Sequence, residues 1–110
     1  MKFIVLGAGD VGTTLAAQLV QEQHDVVLIE RSESKLEAAT TNLDVQAVHG
    51  NGCLPEVLIK AGINTADFFI AVANQDEINV TASIAAKLVN PETKRIARMR
   101  EVSFLHEDIV

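Results

Sequence analysis

The segment Gly7-Ala8-Gly9-Asp10-Val11-Gly12 constrains this chain more than any other. It follows an apolar run, Phe3-Ile4-Val5-Leu6, of a length that suits only a buried strand. It precedes a stretch of helical periodicity, with Val11, Leu15, Leu19 and Val20 apolar and Thr14, Gln18 and Gln21 polar. G-x-G-x-x-G placed between a strand and a helix reads as a dinucleotide-binding turn, whereas the bare pattern carries little information. Gly7 permits the tight turn, Gly9 lets a pyrophosphate approach the backbone, and Gly12 lets the helix pack closely on the strand. The helix N-terminus then presents unpaired N–H groups and the positive end of its dipole to an anion. No Gly-Lys-Ser/Thr follows, so this is not a Walker loop.

A second apolar run, Asp25–Glu30, ends in an acid at close to the roughly 20-residue offset from the glycines where a carboxylate meets a ribose. Glu30 is expected to accept hydrogen bonds from ribose hydroxyls and to repel a 2′-phosphate, which favours NAD(H) or an adenine nucleotide over NADP(H). Arg31, beside it, can pair with a phosphate. The alternative for Glu30 is a solvated strand end.

The remaining chain alternates in the same manner. Ser32 can cap a helix bearing Leu36, Ala39 and Leu43, with Lys35 at its third position and Asn42 as a stop. Residues 45–48 read as a third strand, followed by the glycine-bearing loop His49-Gly50-Asn51-Gly52-Cys53. Pro55 suits the first turn of the next helix and Gly62 the position just past its end. Residues 68–73 form a fourth strand. Asn74 and Glu77 then read as a capping-box variant for a helix over about 76–89, with Ile78, Ala82, Ala85 and Leu88 or Val89 inward. Residues 95–99 are a fifth strand, and Val102, Leu105 and Ile109 mark a further helix. Strict alternation with short connections predicts an α/β, Rossmann-like fold: a parallel sheet of at least five strands in the order 3-2-1-4-5, with helices on both faces. Its ligand cleft lies at the carboxyl ends of strands one and four, where loops 7–12, 49–53 and 73–77 converge.

Composition narrows the function classes. The chain has 110 residues, 48% of them hydrophobic, which is one ordinary domain. Its formal charge of −6 argues against a nucleic-acid partner and against a general binder of anionic membranes. A single cysteine, Cys53, excludes an internal disulfide and fits a reducing compartment. The longest apolar run, residues 68–73, falls far short of the about 20 residues a membrane span needs, and no signal peptide is evident. The expectation is a soluble, cytoplasmic domain without direct membrane insertion. The histidines, His24, His49 and His106, share no metal-ligand spacing with Cys53, so no metal site is expected. Cys53 near a helix start could be an activated thiol, but no histidine and acid are arranged to serve it, and no catalytic residue is assigned. His24 is read as capping the end of the first helix. His49 is read either as a ligand contact or as plain loop. Asp76-Glu77 is read as acids complementing a helix start rather than as a metal or acid/base pair. The basic cluster Lys94, Arg95, Arg98 and Arg100 is split between the two faces of a strand, which leaves Arg98 the best placed to reach the cleft.

Nearly the whole chain resembles the RCK/KTN (TrkA N-terminal) domain family of potassium-transport regulators. The resemblance rests on residues 1–9 with Val11-Gly12, and on His49-Gly50-Asn51-Gly52. It extends through Pro55-Glu56-Val57-Leu58, Ala61-Gly62-Ile63, Ala71-Val72, Asp76-Glu77-Ile78-Asn79 and residues 95–100. The stretch from Gly50 to Gly62 and the Asp-Glu-x-Asn pattern are its specific parts. It implies a ligand sensor rather than an enzyme: a regulatory domain that binds NAD(H), or alternatively ATP, ADP or AMP, and pairs into homodimers or a larger ring. Such a domain gates a membrane potassium transporter or channel from the inner face of the cell membrane. By position, Gly7, Gly9 and Gly12 would meet the phosphates and Glu30 a ribose, with Ala8, Asp10, Val11 and Arg31 also in the cofactor-binding set. Asn51, Gly52 and Cys53 would flank the adenine. Ala73, Asn74 and Asp76 would face the distal phosphate or nicotinamide, and Arg98 would reach phosphates or a dimer partner. Asp10 departs from the family's usual basic or neutral polar residue. The family's C-terminal ligand lobe is not within these residues, so residues 1–110 are expected to form one nucleotide-binding lobe. The alternative from another class is the cofactor domain of an NAD-dependent dehydrogenase. That would need a substrate lobe and an acid/base beside the nicotinamide, and the absence of tyrosine excludes a Tyr-Lys pair.

Overall fold

Apolar runs too short for helices and amphipathic stretches too long for strands alternate along the chain, and the backbone follows them. The computed structural model of the chain describes residues 1–101, and the helix expected around Val102, Leu105 and Ile109 lies outside the described residues. The elements are β1 (Lys2–Leu6), α1 (Asp10–Gln21), β2 (Asp25–Glu30), α2 (Glu33–Asn42), β3 (Gln46–His49), α3 (Pro55–Lys60), β4 (Phe68–Ala71), α4 (Asp76–Val89) and β5 (Lys94–Ala97). A single 3-10 turn, Ile63–Thr65, links α3 to β4. All strand pairs are parallel and the sheet order is β3-β2-β1-β4-β5, as expected for a doubly wound α/β fold.

Both faces of the sheet are covered, which is why the central strands are apolar at every position rather than at alternate ones. Ile4 and Leu6 of β1 point toward α3 and α4 and pack with Val27, Ile29, Phe69, Leu58 and Ala82. Phe3 and Val5 point the other way, toward α1 and α2, and pack with Leu28, Ile70, Ala16, Leu19 and Leu36. No helix among the described residues is long and apolar enough to cross a membrane.

Local chemistry sets the element ends, and several differ from expectation. The first helix closes through its backbone rather than through a His24 side-chain cap. Gln23 takes a left-handed φ of 67°, and the N–H groups of Gln23 and His24 donate to the carbonyls of Val20 and Leu19. The His24 ring instead stands edge-on to Phe3, with centroids 4.9 Å apart. Ser32 caps α2 as expected, its hydroxyl accepting from the Lys35 N–H at 3.4 Å. Gly62 ends α3 with φ +91°. The capping box expected from Asn74 and Glu77 is not formed: the N-cap of α4 is Gln75, with no side-chain cap bond. On the same helix Val89 packs against the core while Leu88, 80% exposed, faces outward. The fourth and fifth strands are shorter than expected. The last ladder bonds run from Val72 N–H to Leu6 C=O and from Arg98 N–H to Ala71 C=O. Beyond them the Asn79 amide takes over as backbone partner. It accepts from Ala73 N–H at 2.8 Å and donates to Ala73 C=O at 3.0 Å and Arg98 C=O at 3.1 Å.

The glycine turn places α1 against β1 by an approach that no other residue permits. A Cβ on Gly12 would lie 1.7 Å from the Gly7 carbonyl oxygen. A Cβ on Gly9 would meet nothing closer than Asn74 Oδ1 at 4.0 Å. Gly12→Ala is therefore expected to lower the unfolding free energy by about 3 kcal/mol through overpacking, and Gly9→Ala by less than about 1 kcal/mol. Urea titrations of the two variants compare them directly, and equal losses would contradict this packing.

Candidate functional site

The carboxyl edge of the sheet carries a cleft whose floor is Leu6, Gly7 and Val72 and whose walls are three loops. The glycine loop forms the first wall. Gly7 has φ +112°, a conformation that L side chains rarely adopt, and it turns the chain so that α1 starts over the sheet edge. The first N–H groups of α1 have no preceding carbonyl to bond within the helix, so they point their partial positive charge at this edge.

Glu30, at the end of β2, fastens that loop. Its Oε1 accepts from the Ala8 N–H at 2.8 Å and its Oε2 from the Ser32 N–H at 2.7 Å. One carboxylate thus holds the glycine turn and the start of α2 together. Each oxygen keeps a further lone pair, and Glu30 lines the cleft, so ribose hydroxyls have acceptors there.

Gly50, Asn51 and Gly52 form the second wall. Asn51 Oδ1 accepts from the Cys53 N–H at 2.9 Å, which shapes the loop. Cys53 itself turns away from the cleft. Its thiol packs on the core and lies 3.6 Å from the Ile78 carbonyl. Burial pushes its pKa above the ordinary thiol value and outweighs the opposing charge of Arg31, so the helix start does not activate it. His49 stands outside the cleft lining, with Nε2 3.0 Å from the Arg31 carbonyl oxygen.

Ala73, Asn74 and Gln75 form the third wall. Asp76 does not join it. Its carboxylate is buried, and it accepts from the Arg100 N–H at 3.1 Å and the Glu101 N–H at 2.8 Å. Those two N–H groups hold the Asp76 carboxyl below its ordinary value of 3.8, against the opposing effect of burial. Asn79 is wholly buried behind this wall. The Asp-Glu-x-Asn pattern is thus used to build the wall and not to line it.

Of the residues expected from sequence, Gly7, Gly9, Glu30, Arg31, Asn51, Gly52, Ala73 and Asn74 share the central cleft. Asp10, Val11 and Arg98 line an adjoining recess together with Gly9 and Asn74. Ala8 reaches a second neighbouring groove, between α1 and α2. Gly12 lies beneath the loop, and Cys53 and Asp76 are not brought to the cleft. One residue missing from the expectation is Lys35, which borders the cleft and both neighbouring recesses. The side chains of Arg31, Lys35 and Arg98 have no hydrogen-bond or ion-pair partner among the described residues. In a chain of net charge −6, three unpaired cations surrounding Gly9 make this edge suited to an anion. Among the described residues no group of three His, Cys, Asp or Glu is placed to hold a metal ion.

Comparisons with known proteins bear on the family and the fold. The model of the TrkA-N domain family matches residues 3–107. The Trk system potassium uptake protein TrkA of Halomonas elongata is 41% identical over 105 residues, covering 96% of this chain and 23% of that protein. The chain thus spans about a quarter of the length of such curated relatives. Among solved structures, the TrkA-N domain of the inner membrane protein ybaL from Escherichia coli has a TM-score of 0.81 at 26% identity, covering 96% of this chain and 80% of that one. The Shewanella denitrificans Kef CTD in its AMP-bound form has a TM-score of 0.84 at 16% identity, covering 99% of this chain and 65% of that one, a likeness of fold alone.

The depressed Asp76 carboxyl has a consequence for stability. A carboxyl whose pKa is lower folded than unfolded stabilises the fold above the unfolded value, and the gain is lost as pH falls through the folded value. Asp76→Asn is expected to be less stable than the wild type by a constant margin from neutrality to about pH 5. That margin is expected to close as pH falls below 3.8. Urea midpoints measured across that range check it, and a margin independent of pH would place the carboxyl elsewhere.

Proposed function

The chain belongs to the TrkA-N domain family, and from that premise we propose that it is a nucleotide-sensing regulatory domain of a potassium-uptake system. It binds NAD(H), or ATP, ADP or AMP, in the cleft over the glycine loop, without turnover. Occupancy of that cleft is passed to a membrane potassium transporter or channel, at the cytoplasmic face of the cell membrane. The observation that carries the reading is the juxtaposition at Gly9: an open backbone face, a helix start, three cations without a side-chain partner among the described residues, and a carboxylate with free lone pairs. The first three suit phosphates and the last suits a ribose.

On this reading the site residues take the following roles. Gly7, Ala8, Gly9 and the start of α1, with Asp10 and Val11, form the phosphate end, with Lys35 and Arg98 on either side. Glu30 takes ribose hydroxyls. Asn51 and Gly52 border the base, and Ala73 and Asn74 the far end of the ligand. The AMP carried by the Kef CTD, which shares the fold, supports a ligand built on adenosine. Assembly into homodimers or a larger ring belongs to the same reading. Ile84 and Leu88, one turn apart on the outer face of α4 and 56% and 80% exposed, offer apolar surface for it. A dehydrogenase reading has less support. Among the described residues, the ionisable side chains bordering the cleft and recesses are Asp10, Glu30, Arg31, Lys35 and Arg98, and Glu30 is already committed to two backbone N–H groups.

Parallel calorimetric titrations with NADH, NAD, ATP, ADP and AMP test the proposal. Saturable binding of at least one is expected, with the ligand recovered unchanged; no binding of any at millimolar concentration would overturn it. Gly9→Val is expected to abolish that binding while the domain stays folded, because its side chain would occupy the space over the loop. Lys35→Gln is expected to weaken binding about tenfold, the equivalent of ~1.4 kcal/mol. Unchanged affinity in the lysine variant would remove it from the phosphate end.

A further inference from the structure

Asp76 and Asn79 are buried polar side chains outside the cleft lining, and their side-chain hydrogen bonds all end on backbone groups of Ala73 and residues 98–101, with the Arg100 Nε in addition 4.0 Å from Asp76 Oδ1. Asn79 binds both backbone groups of Ala73 and the carbonyl of Arg98. Asp76, one turn earlier, takes the N–H groups of Arg100 and Glu101. The Arg100 guanidinium donates back to the Asn74 carbonyl. The first turn of α4 therefore clasps the cleft wall at residues 73–74 to residues 98–101, just past the last β4–β5 ladder bond, from Arg98 N–H to Ala71 C=O.

We propose that Asp76 and Asn79 are positioning residues that make residues 98–101 a reporter of nucleotide occupancy. The inference rests on nucleotide binding in the cleft, as proposed above. A nucleotide seated against Ala73 and Asn74, with its phosphates reaching Arg98, contacts both arms of the clasp at once. It binds better when the clasp is closed, because the Asn79 bonds then fix the wall at Ala73 against the strand end that carries Arg98. By linkage, ligand closes the clasp by the same factor by which a closed clasp raises affinity. Ordering of residues 98–101 is thus the signal that leaves the domain.

Hydrogen exchange at the Arg100 and Glu101 amides, the donors to Asp76, reads the clasp directly, with calorimetry on the same sample. Using whichever of NADH, NAD, ATP, ADP or AMP binds, exchange at both amides is expected to slow at least about fivefold at saturation. Asp76→Ala is expected to speed exchange at both amides, to remove the slowing by ligand, and to weaken affinity by a comparable factor. A merely structural role would raise exchange with and without ligand alike and leave their ratio as in the wild type. Wild-type protein that binds nucleotide with unchanged exchange at 100–101 would overturn the inference and leave the binding site standing. Failure of all five nucleotides to bind would remove the binding reading, and the inference with it.

Discussion

The approach of α1 to the end of β1 is the constraint from which the rest of the cleft follows. Gly12 sits where any Cβ would strike the Gly7 carbonyl, so the helix can lie against the strand end only because that atom is missing. The approach fixes where the N–H groups of the first helical turn point. It also brings the Ala8 N–H within reach of Glu30, one strand away, and the Glu30 carboxylate then ties the turn to the start of α2. A backbone contact and one side chain thus set three elements around a single open position, Gly9. Because the cradle is built from backbone and buried bonds, the cations that surround it need not hold it together, and they stay free for an anion.

The opposite side of the cleft is held by different means. Parallel strands end without a hairpin to join them, and their last carbonyls and N–H groups need partners. Asn79 supplies these for Ala73 and Arg98, and Asp76 for Arg100 and Glu101. A buried amide and a buried carboxylate thereby continue the work of the sheet beyond the strands. Such fully bonded polar groups are stable only as a set, since breaking one bond leaves another buried group unpaired. That property makes the wall a single cooperative unit.

Much of this was legible in the sequence because burial writes plainly. Phe3-Ile4-Val5-Leu6 and Val26-Val27-Leu28-Ile29 are continuous apolar runs because both faces of their strands are covered. The glycine spacing and the distance to Glu30 placed the loop and the carboxylate correctly within the fold. What was not legible depends on where side chains point across elements. Lys35 read as the third residue of a capped helix, and only the seating of α2 beside Gly9 makes it a neighbour of the cleft. Cys53 shares a loop with Asn51, but its thiol turns inward to the core. Asp76 sits at a helix start, where an acid is favourable in any case, which hid its bonds to residues distant in sequence. Leu88 and Val89 differ by one step of about 100°, too little for periodicity alone to separate.

Backbone amide chemical shifts followed during titration with AMP would test the central claim most directly, since they locate the ligand as well as detect it. The account predicts saturable shifts concentrated at Ala8, Gly9 and Asp10, at Asn51 and Gly52, and at Ala73 and Asn74. Saturable binding with shifts confined to the groove between α1 and α2, or to the outer face of α4, would contradict it.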